Sequence, residues 1–152
     1  MPLWIILSIF LGLSLVLVFI LVGRSASVMK MKKIVVDGTR PVKGVLVVRN
    51  DLKMGKGKIV AQAMHAAYQA ATQENPLNSI WKYNGFKKTS LKVETEEELK
   101  EIVRKVKKLR IPYTSIIDAG RTQVEPNTHT VTFIGPWYED EIDVVTGHLR
   151  LL

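Results

Sequence analysis

A chain of 152 residues has the size of one domain with room for an appendage. Lys and Arg number 22 against 14 Asp and Glu, a formal charge of +8 that suits an anionic partner, and 47% hydrophobic residues exclude wholesale disorder. Cys is absent, which excludes a disulfide scaffold, a zinc finger and a thiol nucleophile, so any chemistry must come from oxygen, imidazole or amine side chains.

Leu3 and Val22 bound a 20-residue run without a charged side chain. At ~1.5 Å rise per residue a helix of that length measures ~30 Å, the thickness of a bilayer's hydrocarbon core. Arg24, Lys30, Lys32 and Lys33 follow it, and this positive flank places the C-terminal portion on the cytosolic side. A cleaved secretory signal is the alternative, with Ser25-Ala26-Ser27 as the small-residue site. The run exceeds the usual length of about 7–15 apolar residues, however, and no Lys or Arg precedes it. Residues 1–24 are therefore read as a transmembrane anchor, 25–43 as a basic linker and 44–152 as the folded domain. Residues 1–43 hold six Lys/Arg and Asp37, whereas 44–152 hold 16 basic and 13 acidic residues. Much of the basicity thus sits beside the membrane, as a topology determinant with affinity for anionic lipid.

Val45-Leu46-Val47-Val48 predicts a short strand covered on both faces. Ile59, Ala63, Ala66, Ala67, Ala70 and Ala71 recur at helical spacing and give a small-residue face able to approach a sheet closely. Leu91 and Val93 alternate with polar neighbours in a second strand. Thr95 and Glu98 form a capping-box pattern, Glu96 and Glu97 sit in the first turn, and Leu99, Ile102, Val103 and Val106 mark the buried face of a helix ended by Pro112. A third strand covers residues 114–118, Val131, Phe133 and Ile134 indicate a fourth, and residues 140–147 predict a closing helix. This order predicts an α/β fold, a layered α-β-α sandwich with a four-stranded mixed, mainly parallel sheet, because helical crossovers favour parallel strands. Ligands of such sheets gather beyond the carboxyl ends of the strands. The loops after the first and third strands, residues 49–58 and 118–123, are expected to open on that one edge.

The first loop carries Arg49, Lys53, Lys56 and Lys58 against Asp51, with Gly55 and Gly57 allowing close backbone approach. A helix starting near Lys58 would aim free N–H groups at an anion, which makes Arg49, Lys53, Lys56 and Arg121 phosphate-binding candidates. It is not a Walker A loop, since Leu52 stands at the first glycine position and Ile59 follows the lysine. A lysine at a helix N-terminus opposes the macrodipole, so Lys58 is expected to meet an anion or a carboxylate.

Residues 53–59, Lys-Met-Gly-Lys-Gly-Lys-Ile, followed by Gln62 and His65-Ala66-Ala67, closely resemble the peptidyl-tRNA hydrolase type 2 family. So do Asp118-Ala119-Gly120-Arg121-Thr122-Gln123, Ile134-Gly135-Pro136 and Thr146-Gly147-His148-Leu149. The likeness runs from about Val45 to Leu152. It departs at Val60 and Ala63, where Ala and often Cys occur, and at Trp137-Tyr138, which replace a second Gly-Pro. The resemblance implies a metal-independent hydrolase without cofactor, often a homodimer, that cleaves the ester joining a peptide to the 3′ ribose of tRNA. It implies Lys58, Asp118 and Thr122 as catalytic residues. Family members with N-terminal targeting segments favour the mitochondrial outer membrane for the anchor, with the endoplasmic reticulum as the alternative. The general base is left open by the residues themselves.

Gln62 and His65 are candidates for active-site support. His65 lies about two turns beyond Lys58 and reads as a buried, hydrogen-bonded histidine or a substrate contact. The three His lack paired-ligand spacing for zinc. Trp81, Tyr83 and Phe86 near Lys82, Lys87 and Lys88 could stack a base, but a short helix packing Trp81 on the core is the simpler reading. A membrane-anchored RNA-binding or signalling adaptor with this fold and little turnover is the competing function.

Overall fold

Strand β1 (Val42–Arg49) is buried along its whole length, as its continuous apolar run requires. The computed structural model describes residues 36–152, so the expected anchor, including Leu3 and Val22, lies outside the described residues. Among the described residues no helix is long and apolar enough to cross a membrane. The folded part begins before residue 44. Val42 is in β1, and Lys43 is buried with its ammonium 2.7 Å from Asp143 and 3.5 Å from Glu139.

After β1 come α1 (Lys56–Thr72), α2 (Asn78–Tyr83), β2 (Lys88–Val93), α3 (Glu96–Leu109), β3 (Tyr113–Asp118), β4 (Thr128–Tyr138), α4 (Glu139–Thr146) and β5 (Arg150–Leu151). The Thr95 hydroxyl caps α3 by accepting from the Glu98 N–H at 3.1 Å. The Glu98 carboxylate reaches back to the Glu94 N–H at 2.8 Å, one residue before the cap itself. Leu99, Ile102 and Val106 are the buried face of α3, and Arg110 ends it in a left-handed conformation at φ 57°.

The sheet has five strands in the order β3-β4-β1-β2-β5, which corrects the four expected. It is also not mainly parallel, since β1 with β2 is the one parallel pairing of four. The helical crossovers do send β1, β2 and β3 in one direction. However, the loop between β3 and β4 holds no helix, so β4 reverses and inserts between β3 and β1. With nearly all of its 11 residues buried, β4 takes an interior place between β3 and the central β1. The two-residue β5 is too short to show a period.

The layered α-β-α arrangement is present. On one face α1 covers β3, β4 and β1, and α2 packs beside it; on the other, α3 and α4 pack together. Phe133 joins α2 to the sheet, with the Trp81 ring centroid 5.8 Å away. Its ring lies over Gly44, where a Cβ would meet it, so a side chain at 44 would displace the largest fully buried residue of the core. Trp81 is buried and its indole N–H donates to the Lys87 carbonyl at 2.8 Å, the core role the short-helix reading gave it.

Candidate active site

Helix α1 starts without a side-chain cap and without an acidic residue in its first turn. The unfavourable placement of Lys58 there is answered across the fold, where its ammonium pairs with the Asp118 carboxylate and lies 3.1 Å from the Thr122 hydroxyl. Asp118 is the last residue of β3, so the expected convergence of the two loops on one sheet edge is observed. The carboxylate is buried and held from three directions. Oδ2 accepts from Lys58 and, at 2.8 Å, from the Gln62 amide, while Oδ1 accepts from the Gly120 N–H at 2.8 Å. Lys58 foremost, then the Gly120 N–H, holds the Asp118 carboxyl below the usual carboxylate range despite burial.

Gln62 lies one turn beyond Lys58 and is buried on the sheet-facing side of α1. Its carbonyl oxygen accepts from the Thr130 hydroxyl at 2.8 Å, which turns the amide N–H₂ toward Asp118. Thr130 is the residue that sequence reading missed. Ile116 pairs with Val131 and Ile117 with His129, so Thr130 is the extra residue of a bulge in β4, fully buried and aimed at α1. Only the register of β4 against β3 reveals it.

The proposed phosphate ligands divide. Lys53, Lys56 and Arg121 are exposed on the two loops, which a 2.8 Å hydrogen bond from the Gly55 N–H to the Gln123 side chain ties together. Arg49 does not fit that role. It is buried, with its guanidinium 2.6 Å from Asp51 and 2.8 Å from Glu96, and it also donates to the His129 carbonyl. A guanidinium satisfied by two carboxylates has no charge to offer a phosphate. His65 is exposed on α1, which overturns the buried structural role. His129 instead is the half-buried histidine, 2.8 Å from the Thr132 hydroxyl, and burial holds its pKa below the usual value. Among the described residues no cluster of His, Asp or Glu is arranged to hold a metal ion.

A sequence profile described as Peptidyl-tRNA hydrolase PTH2 matches residues 42–152, from the first residue of β1 to the end of the chain. The chain belongs to that family. A Bos taurus relative called "Peptidyl-tRNA hydrolase 2, mitochondrial" is 50% identical over 113 residues, covering 72% of this chain and 63% of the relative. The human protein of the same name is 48% identical over 113 residues, with the same two shares. A "Peptidyl-tRNA hydrolase" of Methanocaldococcus jannaschii is 47% identical over 115 residues, covering 73% of this chain and all of the relative. The chain thus spans less than two thirds of the mammalian relatives and the whole of the archaeal one.

Within this family member, the lowered Asp118 pKa makes a pH prediction. The unfolded chain takes up the proton first, so the stabilisation from the Lys58–Asp118 pair is whole above about pH 4 and is lost as pH falls through the lower folded value. Acid unfolding of the wild type and of Asp118→Asn, followed by circular dichroism, should therefore converge at low pH. A constant gap between the two curves down to the acid limit would contradict it.

Proposed function

We propose that this chain hydrolyses the ester bond of peptidyl-tRNA, releasing peptide and free tRNA, as a membrane-tethered enzyme facing the cytosol. The observation that carries the reading is the position of the Lys58 ammonium, between a buried carboxylate and the Thr122 hydroxyl at one rim of the sheet. In ester hydrolysis a water oxygen attacks the carbonyl carbon, charge gathers on the carbonyl oxygen, and the bond to the 3′ ribose oxygen breaks. A proton from water ends on that ribose oxygen. An ammonium has three N–H donors; Asp118 and Thr122 take one each, which leaves one for the developing oxyanion. Thr122, accepting from Lys58, keeps its own proton to donate toward water or ribose. A carboxylate held below its usual range is a weak proton acceptor, so Asp118 works by aligning the Lys58 ammonium.

Incubating the purified protein with peptidyl-tRNA and with aminoacyl-tRNA tests the reading. Hydrolysis of the first with the second spared is expected. A folded protein that binds tRNA and turns over neither would be the adaptor instead.

The archaeal relative, matched over its whole length, supports a hydrolase domain that needs no appendage. Deleting residues 1–28 leaves β1 whole and should give a protein that retains hydrolysis and no longer sediments with membranes. In cells the full chain should resist alkaline carbonate extraction, with its C-terminal domain open to protease once the plasma membrane is permeabilised. Carbonate release would remove the tether, and protection inside an organelle would reverse the orientation. The mammalian relatives' names support a mitochondrial site, and a domain facing the cytosol there would sit on the outer membrane.

A further inference from the structure

Charge is segregated between the two helical layers. Residues 53–93, which supply α1, α2 and β2, contain seven lysines and Glu74 as their single carboxylate. Residues 94–152, which supply α3 and α4, contain eight basic and eleven acidic residues. The layer of α1, α2 and β2 is therefore the one suited to a polyanion.

The basic face has a gap. Helix α1 covers β3, β4 and β1, and leaves the same face of β2 open. The β2 side chains alternate accordingly, since Leu91 and Val93 are buried beneath α3 while Lys88 and Ser90 are exposed and Lys92 is half-buried. In register, Lys88 lies beside Gly44, Ser90 beside Leu46 and Lys92 beside Val48, which puts two lysines along the strand on the α1 side. The Lys88 ammonium is held in place by the Phe86 carbonyl at 2.7 Å and stands over the Trp81 and Phe86 rings. No carboxylate neutralises it among the described residues, and Lys92 reaches Glu94 only at 3.8 Å.

Lys88 sits at the opposite end of the sheet from Asp118, six residue levels away by register, which is about 20 Å along the strands at ~3.3 Å per residue and about 14 Å across three strand spacings. The diagonal is about 24 Å, or roughly seven base-pair steps of a nucleic-acid helix. We infer that the open face of β2, through Lys88 and Lys92, holds the phosphate backbone of the tRNA acceptor arm while the arm's 3′ end lies at Lys58. This inference rests on the proposed hydrolysis for the position of the 3′ end. Backbone contacts far from the ester would let one enzyme accept every tRNA and turn away short esters.

The test uses the full chain and deacylated tRNA, so it reads binding whether or not turnover occurs. Lys88→Gln with Lys92→Gln should lower the slope of log affinity against log salt by about 1.4–1.8 and weaken binding about tenfold near physiological salt. Lys105→Gln with Lys108→Gln, equal in charge but on α3, should change neither. The preference in kcat/KM for whole peptidyl-tRNA over a peptidyl ester of a CCA trinucleotide should fall in the β2 variant alone. An unchanged slope, or an equal loss from the α3 pair, would overturn the inference. Equal losses on tRNA and trinucleotide esters would assign the strip to the peptide and overturn it as well. Hydrolysis of neither ester, with the slope change present, would sink the hydrolase reading and leave the RNA surface standing.

Discussion

Asp118→Asn and Lys58→Ala are each expected to lower single-turnover hydrolysis of peptidyl-tRNA by ~10²-fold or more, the scale of losing an oxyanion donor or its orienting group. The reason is geometric. The Lys58 ammonium is aimed by Asp118 and Thr122, and Asp118 is aimed by Gln62 and the Gly120 N–H. Removing the carboxylate charge leaves Lys58 without its anchor, and removing the ammonium leaves a buried carboxylate on neutral donors alone. The double variant should lose less than the product of the two single losses, because the pair acts as a unit. Circular dichroism should confirm that each variant is folded. A folded single variant with near wild-type turnover would remove that residue from the mechanism, and strictly multiplicative losses would separate the two roles.

The second large effect is expected at Gly120, at the turn between Asp118 and Thr122. It adopts φ +75°, and a Cβ added there would strike the Pro126 backbone, with Pro126 Cα 2.6 Å away. For Gly120→Ala the left-handed conformation alone costs about 1–2 kcal/mol, and a clash with backbone adds a comparable amount. The loop can relieve it only by moving the Gly120 N–H off Asp118. Thermal unfolding should therefore show a loss of about 2–4 kcal/mol, and hydrolysis at a temperature where the variant stays folded should fall more than tenfold. A variant with wild-type stability and activity would mean that this turn is not what positions Asp118.

Most elements were legible because their signals are local. The apolar run of β1, the small-residue face of α1 and the Thr95 cap each lie within one segment; β1 and the cap formed where expected, and the α1 face formed around Ala66 and Ala70 with Ala71 exposed. Strand direction was legible for β1, β2 and β3 because a helical crossover dictates it. Strand neighbours were not, since the insertion of β4 between β3 and β1 depends on burial compared across the whole chain. The site divides on the same line. Lys58, Asp118 and Thr122 stood out through charge placement and resemblance, and they meet. Thr130 looks like any strand threonine until the register of β4 against β3 makes it a bulge residue turned toward Gln62. Arg49 was misread although Asp51 lies two residues away, because its second partner, Glu96, is 47 residues distant.

The bond from the Gly55 N–H to Gln123 has a kinetic meaning. Beside the Lys58–Thr122 contact, it fastens the segment bearing Arg121 and Thr122 to the start of α1, and as an exposed neutral hydrogen bond it is worth about 1 kcal/mol. A fastening that weak gives an opened form that is a minor companion of the closed one, visited continually. Amide exchange at Gly55 is thus a built-in clock for the rim, ticking each time the two segments part. A substrate bridging both segments should slow that clock while leaving the amides of buried β1 untouched.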